Sequence, residues 1–158
     1  MAETDPSPAR VVADADVLAA DLLVGGAARD ALDHLRAHSW TTLVASDPLL
    51  DDAEGVVASL ADASLAADWR AKIESWRTPV EHPPGDHPAL ASAYRGGAMH
   101  VLTFDEDLLT ASAGASVRAR VETSLKHPRA FAALFDAESL YAAVVGDAYP
   151  GPDRDPRA

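Results

Sequence analysis

The chain has 158 residues, no cysteine and a formal charge of −12, from 13 Lys and Arg against 25 Asp and Glu. This length is enough for one domain with its own core and is short for two full domains. The absence of cysteine excludes disulfides, zinc–thiolate sites, iron–sulfur clusters and thiol catalysis. Any catalysis must therefore use oxygen and nitrogen ligands.

The composition also bears on the environment of the protein. Alanine fills 34 positions, which predicts a core of close contacts between small residues. The acidic residues are scattered, which is typical of a solvated surface and suggests a halophilic archaeal source, because carboxylates keep a protein soluble when ~1 M salt shortens the Debye length to about 3 Å. No stretch reaches the roughly 18 apolar residues that would span a bilayer, so we expect a cytoplasmic protein without membrane contact.

Short apolar runs alternate with helical patterns along the chain. Residues 11–13, 41–45 and 101–102 predict strands, and each is followed by apolar residues at spacings of three and four. This alternation predicts an α/β domain with a mainly parallel sheet of four or five strands and helices on both faces. We expect the domain to cover residues 10–145, with a disordered N-terminus at 1–9 and a flexible tail at 146–158.

Turn and cap residues divide the rest of the chain. Residues 80–85 predict a proline-rich loop, and residues 117–123 alternate as a strand would, although a helix also fits them. Helix starts are predicted, with an acidic residue or proline at the first turn, at Asp47, Asp86, Pro128 and Asp136.

Acidic side chains recur just beyond the apolar runs. The residues concerned are Asp14 and Asp16, then Asp51, Asp52 and Glu54, then Asp105 and Asp107, with Asp86 at a helix start before the third run. In an open parallel sheet the carboxyl ends of the strands meet where the strand order reverses, so carboxylates from separate regions can converge. Clustered carboxylates repel one another unless a divalent cation compensates them, and an all-oxygen cluster suits Mg²⁺ or Mn²⁺.

Four segments that carry these acids resemble the successive motifs of the PIN-domain nucleases. They are Val11 to Leu18, Ser46 to Asp52, Asp86 to Ala93 and Gly97 to Leu108. The most specific is the apolar pair Val101-Leu102 followed by Thr-x-Asp-x-Asp-Leu. The likeness covers most of residues 11–109, and Pro128 with Phe131 resembles the closing helix of the family.

This resemblance implies a three-layer α/β/α PIN-like fold and a metal-dependent ribonuclease. It places Asp14, Asp52, Asp86 and Asp105 as catalytic acids that bind Mg²⁺ or Mn²⁺, with Asp16, Thr103 and Asp107 beside them. Because the family usually has Glu at the position of Asp52, Asp51 and Glu54 stay open as the helix-borne ligand. RNA is the implied substrate, and a second copy of the chain or an antitoxin-like protein is a further possible partner.

Other interpretations of the same residues remain open. Asp14, Asp86 and Asp105 can be helix caps, and Asp52 can belong to a solvated face. The fold can also serve as a catalytically inactive PIN-like binding module.

The first motif also resembles the opening of haloacid-dehalogenase-type phosphatases, with Asp14 as nucleophile, Asp16 as acid/base and Ser46 as a phosphate-binding hydroxyl. No lysine lies at the position that such a phosphatase needs. Finally, His34 and His38 have a spacing that a metal can bridge, but they fit a surface pair better because no zinc motif accompanies them.

Overall fold

A computed structural model describes the chain over residues 7–81, 88–113 and 124–155. The elements in chain order are β1 (Ser7–Ala13), α1 (Ala15–Leu23), α2 (Gly26–Arg36), β2 (Thr42–Ser46), α3 (Asp47–Leu60), α4 (Ala63–Glu74), β3 (Thr78–Val80), α5 (Pro88–Gly96), β4 (Ala98–Leu102), α6 (Glu106–Ala113), β5 (Ser124–Lys126), α7 (Pro128–Leu134) and α8 (Ala137–Val144). No helix in these ranges is both long and apolar enough to cross a membrane.

The five strands form one parallel sheet in the order β3-β2-β1-β4-β5. Helices flank the sheet, so the predicted α/β class, with three α/β/α layers, is confirmed. The chain builds the sheet outward from β1 through β2 to β3, and then returns to place β4 on the other side of β1. The strand order therefore reverses between β1 and β4, which is where open parallel sheets form their ligand crevice.

The core lies along the central strands and is lined by Leu, Val and Ala. Val11, Val12 and Ala13 of β1 are fully buried, as a strand covered on both faces must be. Helix α5 packs very closely against β2 at Gly96. A Cβ at this position would overlap the side chain of Val44. Small residues at such contacts let the helix layer approach the sheet closely, as the alanine content predicts.

Helix starts follow local capping chemistry. Helix α3 is capped by Ser46, whose Oγ accepts a hydrogen bond from Leu49 N at 3.3 Å, and Asp47 is already its first residue. The expectation that Asp47 is the cap was therefore one residue late, because Ser46 still has extended backbone angles and directly ends β2. Asp136 caps α8 as predicted, accepting from Ser139 N at 3.2 Å.

The two edge strands were not predicted. Strand β3 pairs with β2 through Pro79, and its last residue, Val80, falls in the segment expected to be a loop. Proline is compatible with an edge strand because one side of that strand needs no amide donor. Strand β5 follows the alternating segment 117–123, which lies outside the described residues.

Ordered contacts extend beyond both expected domain limits. Residues 7–9 belong to β1 instead of a disordered N-terminus. At the other end, Asp153 accepts a hydrogen bond from Ser39 N at 2.7 Å, and Arg154 donates to His38 O at 2.8 Å. The segment 146–155 is thus held against the end of α2 and is not simply a flexible tail.

The same contacts overturn the interpretation of His34 and His38 as a surface pair. His38 is 4% exposed, with Nδ1 2.6 Å from His34 O and Nε2 2.6 Å from the hydroxyl of Tyr149. The sequence could not show this burial, because the covering residue is more than a hundred positions away.

Candidate carboxylate site

Asp14 stands at the junction of β1 and α1 and is held through both carboxylate oxygens. It caps α1, with Oδ1 accepting from Ala15 N at 2.8 Å. Its Oδ2 accepts from the hydroxyl of Thr103 at 2.9 Å, and its own backbone N–H donates to Leu102 O at 2.8 Å. Since Asp14 is only 9% exposed, these bonds fix a nearly buried carboxylate between the ends of β1 and β4.

Thr103 connects this carboxylate to the next one. Its hydroxyl is fully buried, donates to Asp14 and accepts from Asp105 N at 3.0 Å. Asp105 in turn caps α6, because its Oδ1 accepts from Asp107 N at 2.9 Å and from Leu108 N at 3.3 Å. Within the described part of the chain, the other carboxylate oxygen of Asp105 accepts no hydrogen bond.

Asp16 carries the most unusual atom of the site. Its Oδ2 accepts from Phe104 N at 3.2 Å, whereas its Oδ1 is buried and has no hydrogen-bond partner in the described structure. Burial raises the pKa of this carboxyl, and the negative charge of Asp14 and, more weakly, that of Asp105 raise it further. The carboxylates of Asp14 and Asp105, from the ends of β1 and β4, therefore both act on Asp16.

An unpartnered buried carboxylate oxygen next to other carboxylates fits a proton or a cation. The donor set of Asp14, Asp16 and Asp105 is all oxygen, as Mg²⁺ and Mn²⁺ prefer. In the ranges that the structure describes, no group of three or more acidic or histidine side chains is placed so that it could hold a metal ion. Mg²⁺ does not need one, because it keeps several waters and is often bound by one or two carboxylates and a substrate phosphate.

The expected helix-borne acid, Asp52, is exposed. It lies on α3, beside a shallow depression lined by Gly55, Val56 and Leu60, and no contact in the described ranges connects it to Asp14. Its alternatives Asp51 and Glu54 are bound to Arg70 of α4, at 2.7 and 3.0 Å.

The remaining candidates are placed as follows. Asp86 lies outside the described residues. Asp107 is exposed in the first turn of α6, where an acid is favoured by the helix dipole. Ser46, the hydroxyl required by the phosphatase interpretation, is fully buried as the cap of α3 and does not face an open crevice.

Sequence reasoning missed two aromatic residues beside the site. The rings of Phe104 and His127 meet edge to face, with centroids 5.1 Å apart. Phe104 directly follows Thr103 and binds Asp16 through its backbone, and His127 directly follows β5. The only available signals were the position of Phe104 inside the third motif and the histidine before the proline that starts α7.

A protein-family model matches the chain over residues 5–157, and its description is a family of unknown function, DUF7384. No curated protein and no solved structure matches the chain.

Proposed function

The chain belongs to the DUF7384 family, and we propose that it is a Mg²⁺- or Mn²⁺-dependent ribonuclease, as its resemblance to the PIN-domain nucleases implies. The observation that carries this proposal is the unpartnered Oδ1 of Asp16, buried beside Asp14 and Asp105 at the point where the strand order reverses. That combination supports a site for a hard cation in the crevice where α/β proteins bind ligands.

Some residues of the site hold Asp14 in place, and others are available to bind a cation. The hydroxyl of Thr103 and the first amide of α1 fix the orientation of Asp14. Asp16 Oδ1, which has no hydrogen-bond partner among the described residues, and the carboxylate of Asp105 then offer negative charge to a cation. When bound, a divalent cation supplies positive charge for the scissile phosphate and lowers the pKa of a coordinated water.

A mechanism with water as the nucleophile agrees with the geometry better than one with Asp14 as the nucleophile. Both oxygens of Asp14 are already hydrogen-bonded, so neither is free to approach a phosphorus atom without losing a bond. The net charge of −12 gives a second reason for the cation, since a bare carboxylate pocket repels a phosphodiester.

Cleavage of labelled RNA in Mg²⁺ tests the proposal. Asp14→Asn and Asp105→Asn should each lower the rate by at least about 10- to 100-fold, because even the groups that only orient a metal ligand are typically worth that much. Asp62→Asn is the matched control: Asp62 caps α4 on an exposed surface, and Asn also caps helices, so its activity should not change. Asp52→Asn tests whether α3 contributes a ligand.

Thermal melting in Mg²⁺ provides a readout that does not depend on activity. A ligand that binds only the folded state stabilises it by about 2.7 kcal/mol at 100 times its Kd. The wild type should therefore melt at a higher temperature in Mg²⁺ than in EDTA, and Asp14→Asn should lose most of this shift. Unchanged cleavage in both Asp14→Asn and Asp105→Asn would contradict the nuclease proposal. A wild-type melting temperature that is the same in Mg²⁺ and in EDTA would favour a binding module.

A further inference from the structure

One edge of this acidic protein is locally basic. Residues 124–135, from β5 through the end of α7, include Lys126, His127 and Arg129 but no Asp or Glu. The chain as a whole has 25 acidic residues. We call this segment, together with Phe104, the β5–α7 edge.

The β5–α7 edge adjoins the carboxylate site. Strand β5 runs parallel to β4, with Lys126 opposite Leu102, and Thr103 N donates to Lys126 O at 3.0 Å. Because parallel strands end at the same side of a sheet, the residues after β5 lie beside those after β4. His127, which follows β5, and Asp105, which comes after β4, therefore lie at the same side of the sheet.

No ion pair to the positive charges of this edge is found among the described residues, although Arg129 lines a groove together with Asp30 and Asp33 of α2. Lys126 Nζ donates to the hydroxyl of Ser124 at 3.0 Å, and the guanidinium of Arg129 forms no ion pair in those ranges. By contrast, Arg36, Arg70 and Arg77 are all bound to carboxylates. A polyanion that approaches the β5–α7 edge therefore meets the cations of Lys126 and Arg129, with the carboxylates of Asp30 and Asp33 on the α2 side of Arg129.

His127 is held in a defined orientation. Its Nδ1 accepts from Arg129 N at 3.0 Å, so the neutral ring carries its proton on Nε2. The ring packs edge to face against Phe104 at an interplanar angle of 76°. No hydrogen bond to Nε2 is found among the described residues, which leaves this N–H available to an acceptor from outside the protein.

We propose that the RNA substrate binds along the β5–α7 edge, with the Nε2–H of His127 donating to a phosphate and Arg129 and Lys126 neutralising the adjacent backbone. The half-buried ring of Phe104 lies where a base can contact it, and stacking on aromatic rings is a general mode of single-strand recognition. RNA that is bound along this edge extends to the carboxylate site. This assignment therefore rests on the proposed function.

Fluorescence anisotropy with a labelled single-stranded oligoribonucleotide, in EDTA to prevent metal-dependent cleavage, tests the edge directly. Arg129→Gln should raise Kd about 10-fold and reduce the slope of log K against log salt by about 0.7, the value for one lost phosphate contact on a single strand. Lys72→Gln is the matched control, with the same change of charge at an exposed position of α4. It should leave Kd within about twofold and leave the slope unchanged.

His127→Asn isolates the imidazole, because Asn also caps helices and should preserve the bond from Arg129 N. It should weaken RNA binding several-fold, and melting in EDTA measures separately the small loss of stability that comes from the lost ring contact with Phe104. Wild-type affinity in both edge variants, equal effects of Arg129→Gln and Lys72→Gln, or no binding by the wild type would overturn the assignment. If the edge variants bind weakly but the wild type never cleaves RNA in Mg²⁺, the nuclease proposal fails and the RNA-binding edge stands.

Discussion

Replacing Thr103 separates the hydrogen-bonding role of this residue from its packing role. Thr103→Val preserves the shape of the side chain but removes the hydroxyl that joins Asp14 to Asp105 N. Thr103→Ser retains the hydroxyl but removes a methyl group. Since Thr103 is fully buried, water cannot simply replace the lost group in either variant.

The two variants differ in the free energy that each loses. Valine removes one hydrogen bond to a charged group, worth about 1.5–3 kcal/mol, and one to a neutral amide, worth about 0.5–1.5 kcal/mol. Serine loses about 1 kcal/mol for one buried methyl group. We therefore expect Thr103→Val to be less stable than the wild type by about 2–4 kcal/mol, and less stable than Thr103→Ser by about 1–3 kcal/mol.

Urea unfolding, followed by tryptophan fluorescence and by circular dichroism in EDTA, gives both free energies. For a chain of this size, about 2–4 kcal/mol corresponds to a melting temperature lower by roughly 4–16 °C. Transfer of apolar surface alone predicts the opposite order, with valine more stable than serine. If Thr103→Val equals or exceeds Thr103→Ser in stability, the hydroxyl does not hold the site together and the reasoning is refuted.

Two further predictions concern groups with shifted pKa values. The pKa of Asp16 is raised in the folded state, so its ionised form opposes folding as pH rises through that pKa; Asp16→Asn should therefore melt higher than the wild type at pH 7 in EDTA, and the difference should vanish toward pH 3. Equal melting temperatures of the wild type and Asp16→Asn at pH 7 would show that burial and the neighbouring charges do not oppose ionisation of Asp16. Burial, and secondarily the charge of Lys126, lower the pKa of His100 to about 4. Its neutral form therefore contributes stability above pH 6.5 that is lost as pH falls toward 4, and His100→Gln should show a shallower loss in that window by urea unfolding. An NMR titration in which His100 protonates near pH 6.5 would contradict this prediction.

The sequence predicted the central strands well because burial on both faces leaves a strong pattern. Residues 11–13 and 101–102 are continuous apolar runs that end at polar residues, and both form the middle of the sheet. The three residues of β3 and of β5 are too few for a periodic pattern to emerge. The pairing of β3 and of β5 depends on the adjacent strands β2 and β4, and a local sequence pattern carries no information about adjacent strands.

The part of the site that follows the central strands was predictable, because those strands were predictable. Asp14 and Thr103 follow strands that proved adjacent, so strand-end reasoning brought them together correctly. The ion pairs of Asp51 and Glu54 with Arg70 depend on the packing of α4 against α3, across a separation of 16 to 19 residues. The sequence alone therefore could not distinguish a metal ligand from a carboxylate already bound to an arginine.

The bond between Thr103 and Asp14 joins residues that are 89 positions apart. During synthesis, β1, β2 and β3 emerge from the ribosome before β4, and the nascent chain then contains Asp14 without its partner. Contacts of such sequence separation form late, since the loop between them must close first. A chain that ends before β4 thus has Asp14 without Thr103, so the completed bond reports that β4 has paired with β1.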